Sequence, residues 1–303
     1  MSEKKLSIRV MTSNIWGDYF GNSPIGRDRQ LLDVYEKYAP DVIGMQEATW
    51  AWYGCALMPE LEGKYHIIGR DVSGEANNFV PMAISKQFTL IDKGYERLED
   101  TPDISKAITW CVAERDGKTV AFCNTHFWWM KGNEDVVLRK NCGVEDFSLD
   151  DHNGLRQKNA NQMARLMKRI FEKYSCPVFA FGDMNSTIEE GVFSEYAENG
   201  INKLFDLAEE RDETCSIHGD PKRDENGVYR GVVANKEYIK WFRNRLFLRE
   251  DESLPDYFTS IDHIVSLGDG FTVKQYRIVE DQGALDATDH SPVYADVEFF
   301  NKK

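Results

Sequence analysis

The sequence predicts an α/β chain in which two mixed sheets pack face to face and are covered by helices. Three observations carry this. Period-2 alternation opens and closes the chain, helical periodicity separates strand-like runs in both halves, and no repeat, low-complexity tract or Pro/Ser-rich linker divides the 303 residues. One domain over residues 1–303 is therefore expected, with insertions at about 127–153 and 214–255.

Ile8, Val10 and Thr12 alternate with Ser7, Arg9 and Met11, which predicts a strand ending near Ser13-Asn14. Leu31, Leu32, Val34, Tyr35 and Tyr38 recur at helical spacing from Arg27, and Pro40 stops that helix before the apolar run Val42–Met45. Gln46-Glu47 then stands at the second strand's end. Short β-type runs follow at Tyr65–Gly69, Met82–Ser85, Phe88–Ile91, Ile108–Ala113 and Thr119–Thr125, the last two joined by Asp116-Gly117, a hairpin signal. Met163, Leu166, Met167, Ile170 and Phe171 share one face of a helix expected from Leu155 to about Tyr174, which Cys176-Pro177 ends. Val178–Phe181 is a buried strand that feeds Gly182-Asp183-Met184-Asn185. Between Thr214 and Pro255 the chain is polar and Gly/Asn-punctuated, with an aromatic helix-like patch at Tyr238–Phe247. Strands at Ile261–Ser266, Thr272–Val279 and Val293–Phe299 close it.

Composition narrows the function classes. Apolar residues at 42%, aromatics at 12% and charges at 29% exclude a disordered, collagenous or coiled-coil chain. A formal charge of −14 repels phosphate backbones, so nonspecific nucleic-acid binding is disfavoured. Six cysteines without Cys-x-x-Cys spacing indicate neither a zinc knuckle nor a disulfide framework and fit reduced thiols in a cytoplasm. Arg9 interrupts any secretory apolar core at the N-terminus, and no apolar stretch approaches membrane-spanning length.

Polar clusters follow apolar strands at Ser13-Asn14-Ile15, Gln46-Glu47, Asn124-Thr125-His126-Phe127, Gly182-Asp183-Met184-Asn185 and Thr288-Asp289-His290-Ser291-Pro292, and a sixth, Ile261-Asp262-His263-Ile264, lies inside a strand-like run. Carboxylates, amides and imidazoles gathered at strand ends are what a hard divalent cation and a general base require. Each cluster alone also reads as ordinary capping or turn chemistry. Their order and spacing together resemble the endonuclease/exonuclease/phosphatase superfamily over residues 7 to about 299.

That resemblance implies a four-layer αββα sandwich with the site at one rim, and it implies roles. Glu47 is the metal ligand, with Asn14 beside it and Asp289 assisting; the metal is Mg²⁺, with Mn²⁺ as the alternative. Asp183 positions or deprotonates the attacking water, and Asn185 orients the nucleophile or a phosphoryl oxygen. His126 donates a hydrogen bond to the phosphate. His290 is the general base or a phosphate-contacting imidazolium, with Asp262 holding its tautomer. The superfamily's terminal Ser-Asp-His stands here as Thr288-Asp289-His290.

Other positions are weaker. His263 would face away from Asp262 in a strand and so stands outside the site, and His66, His152 and His218 lack motif context. Lys106 stands where many relatives carry an arginine and reads first as a surface lysine. Trp128-Trp129 sits beside the catalytic histidine and reads either as a substrate wall or as loop packing. Arg156, at the start of the long helix, is the further substrate-binding candidate. No counterpart of the tyrosine used by some nucleases stands near Asn77-Asn78-Phe79.

The expected activity is metal-dependent phosphoester hydrolysis by in-line water attack, on a small phosphomonoester such as a sugar or inositol phosphate. A DNA or RNA nuclease is the runner-up, and a catalytically silent binding module comes next. A membrane-acting lipid hydrolase is least favoured, and no membrane partner is expected.

Overall fold

Alternation puts successive side chains of a strand on opposite faces, and in the computed structural model both faces of both sheets are used. The structure describes residues 6–18, 23–74, 77–129, 152–187, 191–212, 220–223, 229–233 and 260–300. In chain order the first strands are β1 (Ser7–Asn14), β2 (Val42–Gln46), β3 (Tyr65–Ile68), β4 (Met82–Ser85) and β5 (Thr89–Arg97). There follow β6 (Ala107–Arg115), β7 (Lys118–His126), β8 (Val178–Asp183), β9 (Asn202–Lys203) and β10 (Ala208–Arg211). The last are β11 (Asp220–Arg223), β12 (Tyr229–Val233), β13 (Asp262–Leu267), β14 (Phe271–Ile278) and β15 (Val293–Phe299).

One sheet has seven strands in the order β10-β14-β15-β1-β2-β4-β3, and the other six in the order β5-β6-β7-β8-β13-β9. Both are mixed, because β1–β2 and β7–β8 run parallel among antiparallel neighbours. The two inner faces meet in a core that includes Val10, Val42, Val297, Phe122, Phe179 and Phe181. On the outer face of the larger sheet, Met11, Ile43 and Met45 pack against Leu31, Val34 and Tyr35 of the helix Arg27–Tyr38. On the outer face of the smaller sheet, Val112, Ala121, Val178 and Ala180 meet Met163, Met167 and Ile170 of the helix His152–Tyr174. The four expected layers are present.

Both helices end as their sequences require. Ala39 (φ 45°) and Ser175 (φ 50°) take left-handed conformations and donate their amides to the carbonyls of Tyr35 and Phe171, and Pro40 or Pro177 follows within two residues. Asp116 (φ 52°) and Gly117 (φ 72°) form the expected hairpin turn between β6 and β7.

Several boundaries differ. β5 continues to Arg97 where the sequence predicts an end at Ile91, because its Asp92-Lys93-Gly94 stretch lies on a sheet edge with half-exposed side chains and shows no apolar alternation. The long helix starts at His152, three residues before Leu155. The short helices Trp50–Gly54, Leu57–Glu62, Gly191–Glu198 and Gln282–Ala287 go beyond the sequence reading, being too short for a periodic signal. Of the region 214–255, β11 and β12 pair as a hairpin, while the Tyr238–Phe247 patch lies outside the described residues, as does 130–151 of the other insertion. Among the described residues no helix is long and apolar enough to cross a membrane.

The sheets approach closely where β2 crosses β7 and β8. A Cβ on Gly44 would lie 2.3 Å from Cε2 of Phe181 and 2.6 Å from Oδ1 of Asn124. Beside it, Asn124 Nδ2 donates to the carbonyls of Met45 (2.7 Å) and Pro81 (2.9 Å), and Asn124 Oδ1 accepts from Gln46 Nε2 (2.6 Å). This buried polar latch joins the sheets just below the rim where their parallel strands end. Gly44→Ala is expected to cost about 1–3 kcal/mol by overpacking, read as a lower thermal midpoint; an unchanged midpoint would contradict the contact.

Candidate active site

Pairing register assembles the site. His126 ends β7 and pairs with Asp183 at the end of β8, and Asp183 pairs in turn with Asp262 at the start of β13. Three chemically active side chains therefore stand in one row across the smaller sheet. In the larger sheet Asn14 pairs with Gln46, which places Glu47 one residue beyond the end of β2. Asn14 Nδ2 spans the two groups, donating to Glu47 Oε1 (3.2 Å) and to Asp183 Oδ2 (3.1 Å).

The loops after the strands complete the arrangement. Glu47 Oε2 accepts from the Gly17 amide (2.9 Å), Asn14 Oδ1 from the Trp16 amide (3.0 Å), and Asp183 Oδ1 from the Asn185 amide (2.9 Å). Trp16 (φ 56°), Glu47 (φ 63°) and Asn185 (φ 48°) are all left-handed, an arrangement that costs roughly 1–3 kcal/mol per residue and persists when surrounding bonds hold it. Thr288 Oγ1 donates to the Asn14 carbonyl (2.6 Å), tying the Thr288-Asp289-His290 loop to β1. The Arg27 guanidinium adds bonds to the carbonyls of Ile15 (3.2 Å), Trp16 (2.9 Å) and Ala287 (2.8 Å).

Charge is concentrated here. His290 Nδ1 lies 2.7 Å from Asp262 Oδ2, which directs Nε2 away from that carboxylate. Burial works against the imidazolium, but Asp262, Asp289 and Asp183 outweigh it and raise His290 well above its ordinary value. Burial, with Asp262 adding, pushes Asp183 up to about 6. Burial also pushes Asp289 up to about 7, with His290 opposing and Glu47 reinforcing the shift. His126 is lowered well below its ordinary value by burial, Lys106 and His290.

These residues fit a hard divalent cation. Asn14, Glu47 and Asp289 offer oxygen donors, and buried Asp289 Oδ1 has no hydrogen-bond partner among the described residues. Asp183, Asp262 and His290 also present ligand atoms within 4.8 Å of one another. Within that trio His290 Nδ1 bonds to Asp262 Oδ2, which makes a carboxylate–imidazole pair beside Asp183.

Three expectations are corrected. Lys106 is not a surface lysine: it is buried, with Nζ 2.7 Å from His126 Nε2. Its ammonium can only donate, so His126 Nε2 accepts and its ring proton lies on Nδ1. In that tautomer Nε2 is taken up by Lys106, and Nδ1 is the ring nitrogen left to donate. A buried run directly after Lys106 was the available signal. Trp128 is fully buried against Leu155, with its ring 6.4 Å from that of half-buried Trp129, so it presents no wall to a substrate. Arg156 is likewise buried, its guanidinium donating to Asn153 within the first turns of its helix. Asn185 Nδ2 donates to the Phe127 carbonyl (3.1 Å). His263 packs as expected, 2.8 Å from the Ser186 carbonyl and edge-on to Phe193.

No family model matches the chain, and no curated protein matches it in sequence. Solved structures match throughout its length. An endonuclease/exonuclease/phosphatase from Bacteroides vulgatus has a TM-score of 0.69 at 20% identity, covering 97% of this chain and 100% of that one. Truncated TDP2 from Caenorhabditis elegans has a TM-score of 0.64 at 16% identity, covering 98% of each chain. A mannosyl-6-phosphatase from Bacteroides thetaiotaomicron has a TM-score of 0.62 at 16% identity, covering 96% of this chain and 99% of that one. The chain thus has the fold of the endonuclease/exonuclease/phosphatase proteins.

Two outcomes are expected. Lys106→Met removes a charge that lowers His126, so the His126 pKa should rise in an NMR titration; a fall or no change would separate the two groups. Trp128→Ala should cost about 3–5 kcal/mol in denaturant unfolding, as for a buried aromatic, and a smaller loss would return Trp128 to the surface.

Proposed function

We propose that this chain is a divalent-cation-dependent phosphoester hydrolase acting on a small phosphomonoester such as a sugar or inositol phosphate. The observation that carries the reading is the convergence of Glu47, Asn14, Asp183 and the Asp262–His290 pair on one rim of this fold. The formal charge of −14 supports a small ester over a nucleic-acid backbone, and one protein of similar fold is a mannosyl-6-phosphatase.

Asn14, Glu47 and Asp289 would hold the cation. When bound there, it supplies charge to polarise a phosphoryl oxygen, with Mg²⁺ preferred and Mn²⁺ the alternative. Asp183 is oriented from both sides, by the Asn185 amide on Oδ1 and by Asn14 on Oδ2, and serves to position the attacking water and accept its proton. His290, its Nδ1 held by Asp262, directs Nε2 to a phosphoryl oxygen and stabilises charge as it develops. Lys106 adds a buried positive charge beside His126 on the other side of Asp183.

Assay of purified protein with Mg²⁺ against sugar phosphates, inositol phosphates and oligonucleotides tests the reading. Hydrolysis of a phosphomonoester is expected, with loss of turnover in excess chelator and near-abolition by Glu47→Gln, which keeps shape and removes charge. His290→Ala should lower turnover by roughly 10²–10⁴-fold while the thermal midpoint is retained. Full activity in chelator, or cleavage confined to oligonucleotides, would overturn it.

A further inference from the structure

Trp128 is buried, but a more exposed aromatic side chain follows Glu47 in the chain. Trp50 opens the short helix that begins three residues after Glu47 and is 61% exposed. Its ring is not loose. The Arg70 guanidinium lies 3.8 Å from the Trp50 ring centroid and 3.9 Å from that of Tyr53, so Arg70 contacts both rings. Asn77 links this stack to the site: its Oδ1 accepts from Arg70 Nε (3.2 Å), and its Nδ2 donates to the carbonyl of Ala48, the residue after Glu47 (3.3 Å). Tyr53 is fixed in turn by its hydroxyl, which donates to the Asn78 carbonyl (2.6 Å). Three residues reach at most about 11 Å, so the Trp50 backbone lies within that distance of the Glu47 backbone.

An exposed aromatic ring with its support fixed is a preorganised binding surface, because little side-chain freedom is lost when a ligand stacks on it. We propose that Trp50, supported by Arg70, is a subsite for a ring in the alcohol portion of the substrate, a sugar ring being the chemistry that suits it. The proposal deepens the phosphoester reading and rests on it. A phosphoryl group held near Glu47 would leave a six-membered sugar ring within reach of Trp50, whereas a short acyclic alcohol would gain nothing there.

The test compares glucose 6-phosphate with glycerol 3-phosphate in the presence of Mg²⁺, using wild type, Trp50→Ala and Trp50→Phe. The ratio of KM values, glucose 6-phosphate over glycerol 3-phosphate, should rise about tenfold in Trp50→Ala, the size of one lost stacking contact, with kcat little changed. Trp50→Phe, which keeps a ring, should restore most of the ratio. A ratio unchanged in Trp50→Ala, or a rise that Trp50→Phe fails to reverse, would overturn the subsite while leaving the hydrolase reading intact. If wild type hydrolyses neither ester, the hydrolase reading is decided by the other sugar phosphates, the inositol phosphates and the oligonucleotides of the wider panel. The subsite is then judged by the calorimetric Kd ratio for the same two esters, where a rise in Trp50→Ala supports it and no rise overturns it.

Discussion

The arrangement depends first on strand register. β7 and β8 run parallel, β13 runs antiparallel to β8, and the pairing places His126, Asp183 and Asp262 side by side. A slip of one residue would turn each side chain to the opposite face. Register is protected by the alternating burial of β8, where Phe179 and Phe181 enter the core between the sheets while Val178 and Ala180 face the long helix. The packing that stabilises the fold is therefore the same packing that aligns the row of polar residues.

A second requirement is that the two sheets hold a constant separation at the rim. Gly44 permits close approach, and the Gln46–Asn124 latch satisfies buried polar groups of both sheets. Asn14 then spans Glu47 and Asp183 with one amide. Around this bridge the backbone adopts left-handed conformations at Trp16, Glu47 and Asn185, each held by neighbouring hydrogen bonds. Burial and neighbouring carboxylates raise Asp183 and Asp289, which adds to the cost, and a cation bound beside them would offset that repulsion.

The tryptophans show how burial separates chemically similar residues. Trp128 follows a catalytic-type motif, yet it fills a small core with Leu155. Trp50 carries no motif and stands exposed on Arg70. Lys106 makes the reverse point, since a lone lysine at a strand start reads as solvated and proves to be buried against His126.

By itself the sequence determined the layered α/β architecture, most strands, both long helices and the strand-end polar clusters, because alternation, helical periodicity and Pro or left-handed stops act over a few residues. It also singled out Asn14, Glu47, His126, Asp183, Asp262, Asp289 and His290, which stand together at one rim. Tertiary structure decided what local spacing cannot encode: the edge strand β5 with its polar centre, the tautomer that Lys106 imposes on His126, the burial of Trp128 and Arg156, and the exposure of Trp50. Each of these depends on which distant segments cover a side chain, a property set by packing across the sheets rather than by neighbours along the chain.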